Sequence, residues 1–220
     1  MSYNIALDGP AGAGKSTIAK RVASELKFIY VDTGAMYRAM ALYMLNENVD
    51  LSDTKAIAEK CKSAEIEIRY TDGVQCVFLN GENVNDKIRT PRVSDAASKT
   101  SVVKEVRVIL VKLQQELAAK TDVVMDGRDI GSKVLPNAQL KIYMTASSRV
   151  RAERRYKELT EKGEKCELDQ IEAEIKERDE RDMNREESPL VQAEDAILLD
   201  TSDMTIDEVV EKIISLKETN

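Results

Sequence analysis

Short apolar runs alternate with longer amphipathic ones along most of this chain. Ile5-Ala6-Leu7-Asp8 reads as a buried strand, and Thr17 to Ala23 as the helix after it. Phe28 to Val31 is a second strand, and about Ala35 to Leu45 a second helix with Met36, Met40 and Leu45 among its apolar positions. Ser52 is placed to cap a short helix through Cys61. Then the period changes. Glu65 to Tyr70 alternates with period two, Thr71-Asp72-Gly73 is a turn, Val74 to Leu79 a strand, and Asn80-Gly81 a second turn. That segment predicts a small antiparallel ribbon inserted in an alternating α/β chain.

Helical spacing returns at Thr90-Pro91, a cap followed by proline in the first turn, and again from about Val102 to Ala119. Val123-Val124-Met125 and Leu140 to Met144 are strands, and Ser147 caps an arginine-rich helix. A charged helix runs from about Leu168 to Glu187, Ala196 to Leu199 is the last strand, and Thr205 to Glu208 is a capping box opening the final helix. Strand–helix alternation predicts a parallel sheet flanked by helices, with ligands at the carboxyl ends of its strands.

Between the first strand and helix lies Gly9-Pro10-Ala11-Gly12-Ala13-Gly14-Lys15-Ser16-Thr17, a match to G-x-x-x-x-G-K-[ST]. Glycines let successive N–H groups converge, and the following helix adds its unpaired N–H groups and positive dipole end. Polyphosphate suits that cup. Lys15 is expected to reach the β- and γ-phosphates, and the Ser16 hydroxyl to ligate Mg²⁺. Asp126 ends an apolar strand as the Mg²⁺-side acid of such enzymes does. Arg128 and Asp129 follow as a donor fork beside an acceptor. On the later helix, spacing i, i+4, i+7 puts Arg178, Asp182 and Arg185 on one face. Arg151, Arg154 and Arg155 share a face of the preceding helix, and Gly163 separates the two, which predicts a mobile hairpin closing on phosphates.

Composition narrows the chemistry. The 220 residues carry a net charge of −7, which argues against a surface that wraps nucleic acid. Histidine is absent, which removes Ser–His–Asp and Cys–His chemistry. The three cysteines lack metal-like spacing. With no signal-like start and no apolar run of membrane length, a cytoplasmic setting is expected.

Four motifs in order resemble bacterial cytidylate kinases, of the nucleoside monophosphate kinase group: Asp8 to Ser16, Asp32 to Arg38, Asp126-Gly127-Arg128-Asp129-Ile130-Gly131, and Arg178-Asp179 through Asp182 to Arg185. The resemblance covers nearly the whole chain. It implies a three-layer P-loop kinase fold with a central parallel sheet. A monophosphate-binding insert at about 40–90 and a helical lid with flanking helices at about 151–187 would lie within one domain, 1–220. It implies transfer of the γ-phosphate of ATP to CMP or dCMP with Mg²⁺, by a monomer with neither nucleic acid nor membrane as partner. Gly9 to Thr17 would bind ATP. Arg38, Arg128 and Arg185 would hold the CMP phosphate, and Ser98, Arg107 and Asp129 would read the cytosine. Arg178 and Asp182 would contact the sugar, with Thr33, Tyr37 and Gly127 lining the site. Lys15, Arg128, Arg185 and the lid arginine Arg154 would serve transfer. Lys133 and Met183 depart from the family pattern, in the loop after Asp129 and between the sugar contacts. The competing readings are a P-loop kinase of a sugar acid or shikimate, against which the ribbon argues, and a nucleotide-gated switch or nucleic-acid-dependent ATPase.

Overall fold

The computed structural model describes residues 2–219. Eight strands and eight α-helices follow each other in the described residues, and the chain divides into two compact units. One holds Ile29–Asp122 with Ser2; the other holds Tyr3–Phe28 and the chain from Val123 onward.

The second unit carries the parallel sheet. Strand β1 (Asn4–Asp8) lies between β6 (Val123–Asp126) and β7 (Leu140–Thr145), and β8 (Ile197–Asp200) lies beyond β7, all parallel. Register sets Leu7 against Asp126 and Asp8 against Tyr143. The strand acids and the loops after them therefore gather at one end of the sheet. Helix α1 (Lys15–Leu26) packs against β6 and against α8 (Ile206–Thr219). Ile5, Leu7, Ile18, Val22, Met125, Leu140, Ile142 and Ile213 are almost wholly removed from water. Each such side chain contributes about 1.5–3 kcal/mol of transfer free energy. Helices α6 (Ser148–Glu161) and α7 (Leu168–Asn184) pack together as a hairpin. Ser147 caps α6 by accepting from the Val150 N–H, and Gly163, at φ 77°, follows its C-cap, as the glycine predicted.

The first unit holds β2 (Ile29–Asp32), α2 (Thr33–Asn46), α3 (Thr54–Lys60), β3 (Ile66–Thr71), β4 (Val74–Leu79), β5 (Glu82–Asn83), α4 (Pro91–Thr100) and α5 (Lys104–Ala118). Met36, Met40 and Met44, on one face of α2, are fully buried in a core with Ile57, Val77, Val106 and Leu110. The ribbon is present as expected. β3 and β4 are antiparallel with Thr71 opposite Val74, and Asp72 and Gly73 take the positive φ of a tight hairpin. Thr90 caps α4 through the Val93 N–H with Pro91 in the first turn.

Two local expectations need correction. Asp53, not Ser52, caps α3, because its carboxylate reaches the N–H groups of both Lys55 and Ala56, while Ser52 is bonded to Asp50. Helix α7 ends at Asn184, so Arg185 is not on its face. Arg185 is extended, at φ −65° and ψ 140°, and its Nε donates to the Ser188 carbonyl.

Candidate active site

In the second unit the phosphate loop leaves β1 with Gly9 at φ 144°, where a Cβ would lie 2.0 Å from the Met144 carbonyl oxygen. Only glycine fits that approach to β7. Gly14, at φ 85°, ends the loop as the N-cap of α1 and makes no side-chain cap bond. The first N–H groups of α1 therefore face the loop, as an anion site requires.

Lys15 is buried, and its ammonium donates to the Pro10 carbonyl at 2.7 Å. Burial and then the Arg128 guanidinium push its pKa well below the ordinary lysine value, with Arg178 adding to them; Asp126 and Asp8 oppose the shift. The Ser16 hydroxyl donates to Asp126 Oδ2 at 2.8 Å. Two hard oxygens therefore sit side by side at the start of α1. Among the described residues no three His, Cys, Asp or Glu side chains form a metal cluster.

The loop after β6 carries Arg128 and Asp129. Arg128 Nε donates to Asp182 Oδ2 at 2.9 Å, and its Nη1 to the Gly127 carbonyl at 3.2 Å. Asp129 and Arg185, both buried, are an ion pair at 3.7 Å. For Asp182, burial acts to raise the pKa. Arg128, Arg178 and Arg185 outweigh it and hold the carboxyl below its ordinary range. Lys15, Arg128, Arg178 and Arg185 are thus brought together with Asp126, Asp129 and Asp182. The acids offset the charge of the cations, whose forks and ammonium are groups of the kind that pair with phosphate oxygens.

Arg154 and Arg151 lie elsewhere. Arg154 Nη2 donates to the Thr201 carbonyl at the end of β8, at 2.6 Å. Arg151 is buried; its Nε donates to the Ala146 carbonyl, its Nη1 to the Ala11 carbonyl at 2.8 Å, and its Nη2 pairs with Asp179 at 2.7 Å. Arg155 is exposed and bonded to Glu158. The three arginines predicted to share one face thus have separate surroundings. Met183 is exposed, and the Lys133 N–H donates to the Asp129 carbonyl.

The first unit has its own polar group. Asp32 caps α2 through the Ala35 N–H and accepts from both Arg38 and Arg89 at 3.1 Å. The Gln75 amide on β4 holds the same residue twice, accepting from the Asp32 N–H and donating to its carbonyl. Thr33 begins α2 and is buried. The Arg107 guanidinium lies 5.4 Å from the Tyr37 ring centroid and donates to the Ser101 carbonyl. Ser98 is buried, and its carbonyl accepts from the Ser101 hydroxyl.

The family model for cytidylate kinase matches residues 5–219. The chain belongs to the cytidylate kinase family. A cytidylate kinase of Caldicellulosiruptor bescii is 54% identical over 213 residues, covering 97% of this chain and 94% of that one. A cytidylate kinase of Lactobacillus gasseri is 50% identical, covering 95% and 91%. Among solved structures, an uncharacterized protein from Eubacterium ventriosum shares the fold, with a TM-score of 0.54 at 13% identity over all of both chains. Membership makes this a P-loop kinase, as the motifs implied.

Sequence reasoning missed Asp8, Gln75, Arg89 and Asp179 as parts of these clusters. Asp8 carried a signal, since Ile5-Ala6-Leu7-Asp8 is an apolar strand ending in an acid just as Val123 to Asp126 is. Gln75 and Arg89 carried none, because their partners are distant in sequence.

Proposed function

We propose that this member of the cytidylate kinase family transfers the γ-phosphate of ATP to CMP or dCMP. A phosphate oxygen of the acceptor forms the new bond to the γ-phosphorus as the bond to the β-phosphate oxygen breaks, and ADP leaves with that electron pair. The nucleophile is already an anion, so alignment and charge neutralisation are what the protein supplies. Lys15 and the loop from Gly9 to Thr17 bind ATP. Arg128 and Arg185 take the acceptor phosphate, and Arg38 serves the same phosphate. Arg154 acts as a lid arginine.

The observation that carries the reading is the pairing of Arg128 with Asp182 and of Arg185 with Asp129, in one unit with Lys15. Two guanidiniums held by carboxylates form a preorganised dianion site. Asp129 accepts from the cytosine amino group, and Arg107 and Ser98 donate to its acceptors. Uracil has a carbonyl where cytosine has that amino group, so a carboxylate there repels it. Arg178 and Asp182 hold the sugar, with Thr33, Tyr37 and Gly127 lining the site. Mg²⁺ fits Ser16 and Asp126, whose neighbouring oxygens are of the right kind; when bound it neutralises charge on the polyphosphate. Residues of about 40–90 act as the monophosphate-binding insert and about 151–187 as the lid, within one functional domain, 1–220. The acidic composition argues against nucleic acid as a partner; the proposed state is a cytoplasmic monomer with nucleotides, and neither nucleic acid nor membrane, as partners. No helix among the described residues is long and apolar enough to cross a membrane.

The test is ADP release with CMP, dCMP, UMP, AMP and GMP as acceptors. Fastest turnover with CMP or dCMP is expected; equal or faster turnover with UMP or AMP rejects the cytosine reading.

A further inference from the structure

Asp8 is the last residue of β1 and the last before the phosphate loop, and it is 5% exposed. Its carboxylate is held by the backbone of another loop. Oδ1 accepts from the Ile130 N–H at 2.8 Å, and Oδ2 from the Gly131 N–H at 2.7 Å. These are the two residues directly after Asp129. On the other side of Arg128, the Gly127 N–H donates to the Leu7 carbonyl at 3.0 Å. The segment 127–131 is thus pinned at both ends to Leu7 and Asp8, and the two residues between the pins are Arg128 and Asp129.

The fit at the second pin is close. A Cβ on Gly131 would meet Lys141 Cδ at 3.1 Å and Asp8 Oδ2 at 3.4 Å. Lys141 cannot retreat freely, because its ammonium is held by Asp195 at 2.7 Å and by the Pro136 carbonyl. Beyond the pin, the Lys133 and Val134 N–H groups both donate to the Asp129 carbonyl and open a π-helical turn, Ile130–Val134. Such turns recur at functional sites.

We infer that Asp8 is a positioning residue: its carboxylate, through the Ile130 and Gly131 amides, sets the aim of Arg128 and Asp129. Here each of the two N–H groups has a carboxylate oxygen of its own. An asparagine offers one oxygen, and turns an NH₂ against the other N–H. The groups facing Asp8 are Lys15, which favours its charge, Asp129, which opposes it, Tyr143 across the strand pair and Lys141 behind Gly131. The inference rests on the acceptor roles proposed for Arg128 and Asp129.

The test compares wild type, Asp8→Asn, Gly131→Ala and the double variant. It reads kcat and KM for each substrate and the ratio of kcat/KM for CMP over UMP. Asp8→Asn is expected to lower kcat/KM for CMP about tenfold or more and to compress the CMP:UMP ratio, with KM for ATP changed by less than about threefold. Gly131→Ala disturbs the same pin from the other side and is expected to act in the same direction. The double variant should then cost less than the two single effects combined. An unchanged ratio, equal losses on the ATP and CMP sides, or strict additivity overturns the inference. If Asp8→Asn does not fold, NMR titration of the wild type decides. The Ile130 and Gly131 amide protons should move together with the Asp8 carboxyl carbon, and independent movement overturns the inference. Acceptor preference of the wild type tests the functional reading separately. A wild type without cytosine preference sinks that reading; a wild type that prefers CMP, with an Asp8→Asn that keeps the ratio, sinks only this inference.

Discussion

In the proposed function Asp129 accepts from the cytosine amino group, and a carboxylate in that role must be correctly aimed. Arg185 supplies the counter-charge at 3.7 Å, and the segment around it is pinned to β1. Asp129→Asn keeps the size but turns an NH₂ toward the amino group it should accept from. One lost or reversed buried hydrogen bond costs about 1–3 kcal/mol, which compresses the CMP:UMP ratio of kcat/KM roughly 5- to 150-fold. Competition assays between the two acceptors read that ratio directly; an unaltered value removes Asp129 from base recognition. Arg128, proposed to take the acceptor phosphate, is the complementary case. Arg128→Ala is expected to lower kcat/KM for CMP by about 10²–10³, the usual loss for one preorganised donor. ATP affinity, followed by calorimetric titration without acceptor, is expected to change little. These residues were legible in the sequence because each stands at a motif-defined place after a strand. The partners of Asp8 and Gln75 were not, since they depend on strand order and on how the ribbon docks within its unit.

Helices were easy to foresee, but the duties of their side chains were not. The i, i+3, i+4 spacing of Arg151, Arg154 and Arg155 predicts one arginine face, and a face is all that spacing can predict. Arg151 is instead drawn inward because three acceptors converge on it: the carbonyls of Ala11 and Ala146 and the carboxylate of Asp179. It braces the phosphate loop, the end of β7 and helix α7 with one side chain. Breaking a buried ion pair by removing one partner costs about 3–5 kcal/mol, because the other charge is left uncompensated. Arg151→Met should therefore lower the melting temperature markedly. Arg155→Met, which removes only an exposed pair with Glu158, should change it by little. Calorimetric melting of the two variants side by side checks this; equal shifts mean Arg151 is not the brace. The ribbon was legible as hairpin and turn because positive-φ residues, Asp72-Gly73 and Asn80-Gly81, punctuate it. The end of α7 was not, because Arg185 leaves the helix for the Ser188 carbonyl.

For the molecule as a whole, the absence of histidine leaves few groups to titrate between pH 5 and 8. Asp8 is one, its pKa raised to about 6. Burial is the largest cause, and the Gly131 and Ile130 N–H groups and Lys15 oppose it. The Lys15 pKa is also displaced, downward from the ordinary lysine value, by burial and the Arg128 guanidinium. The sign for Asp8 follows from linkage. The folded chain binds this proton more tightly than the unfolded chain, whose carboxyl titrates near 3.8. The stability that protonation of Asp8 contributes is full below about pH 4 and is lost as pH rises to about 6, on the order of 3 kcal/mol. Asp182, with a depressed pKa, acts oppositely, and its contribution is lost as pH falls through the acid range. The difference in melting temperature between wild type and Asp8→Asn isolates the first effect. The value for wild type relative to the variant should decline by several degrees from pH 4 to about 6.5 and then level. Activity should move the other way. The ionised carboxylate pins Ile130 and Gly131 most firmly, so wild-type turnover rises across the window in which its relative stability falls. The acceptor's own phosphate also loses a proton near pH 6. That part of the acid limb persists in Asp8→Asn, and only the steepness lost in the variant belongs to Asp8. Identical pH–rate profiles, or a melting difference that is flat with pH, would show that Asp8 does not titrate in this window.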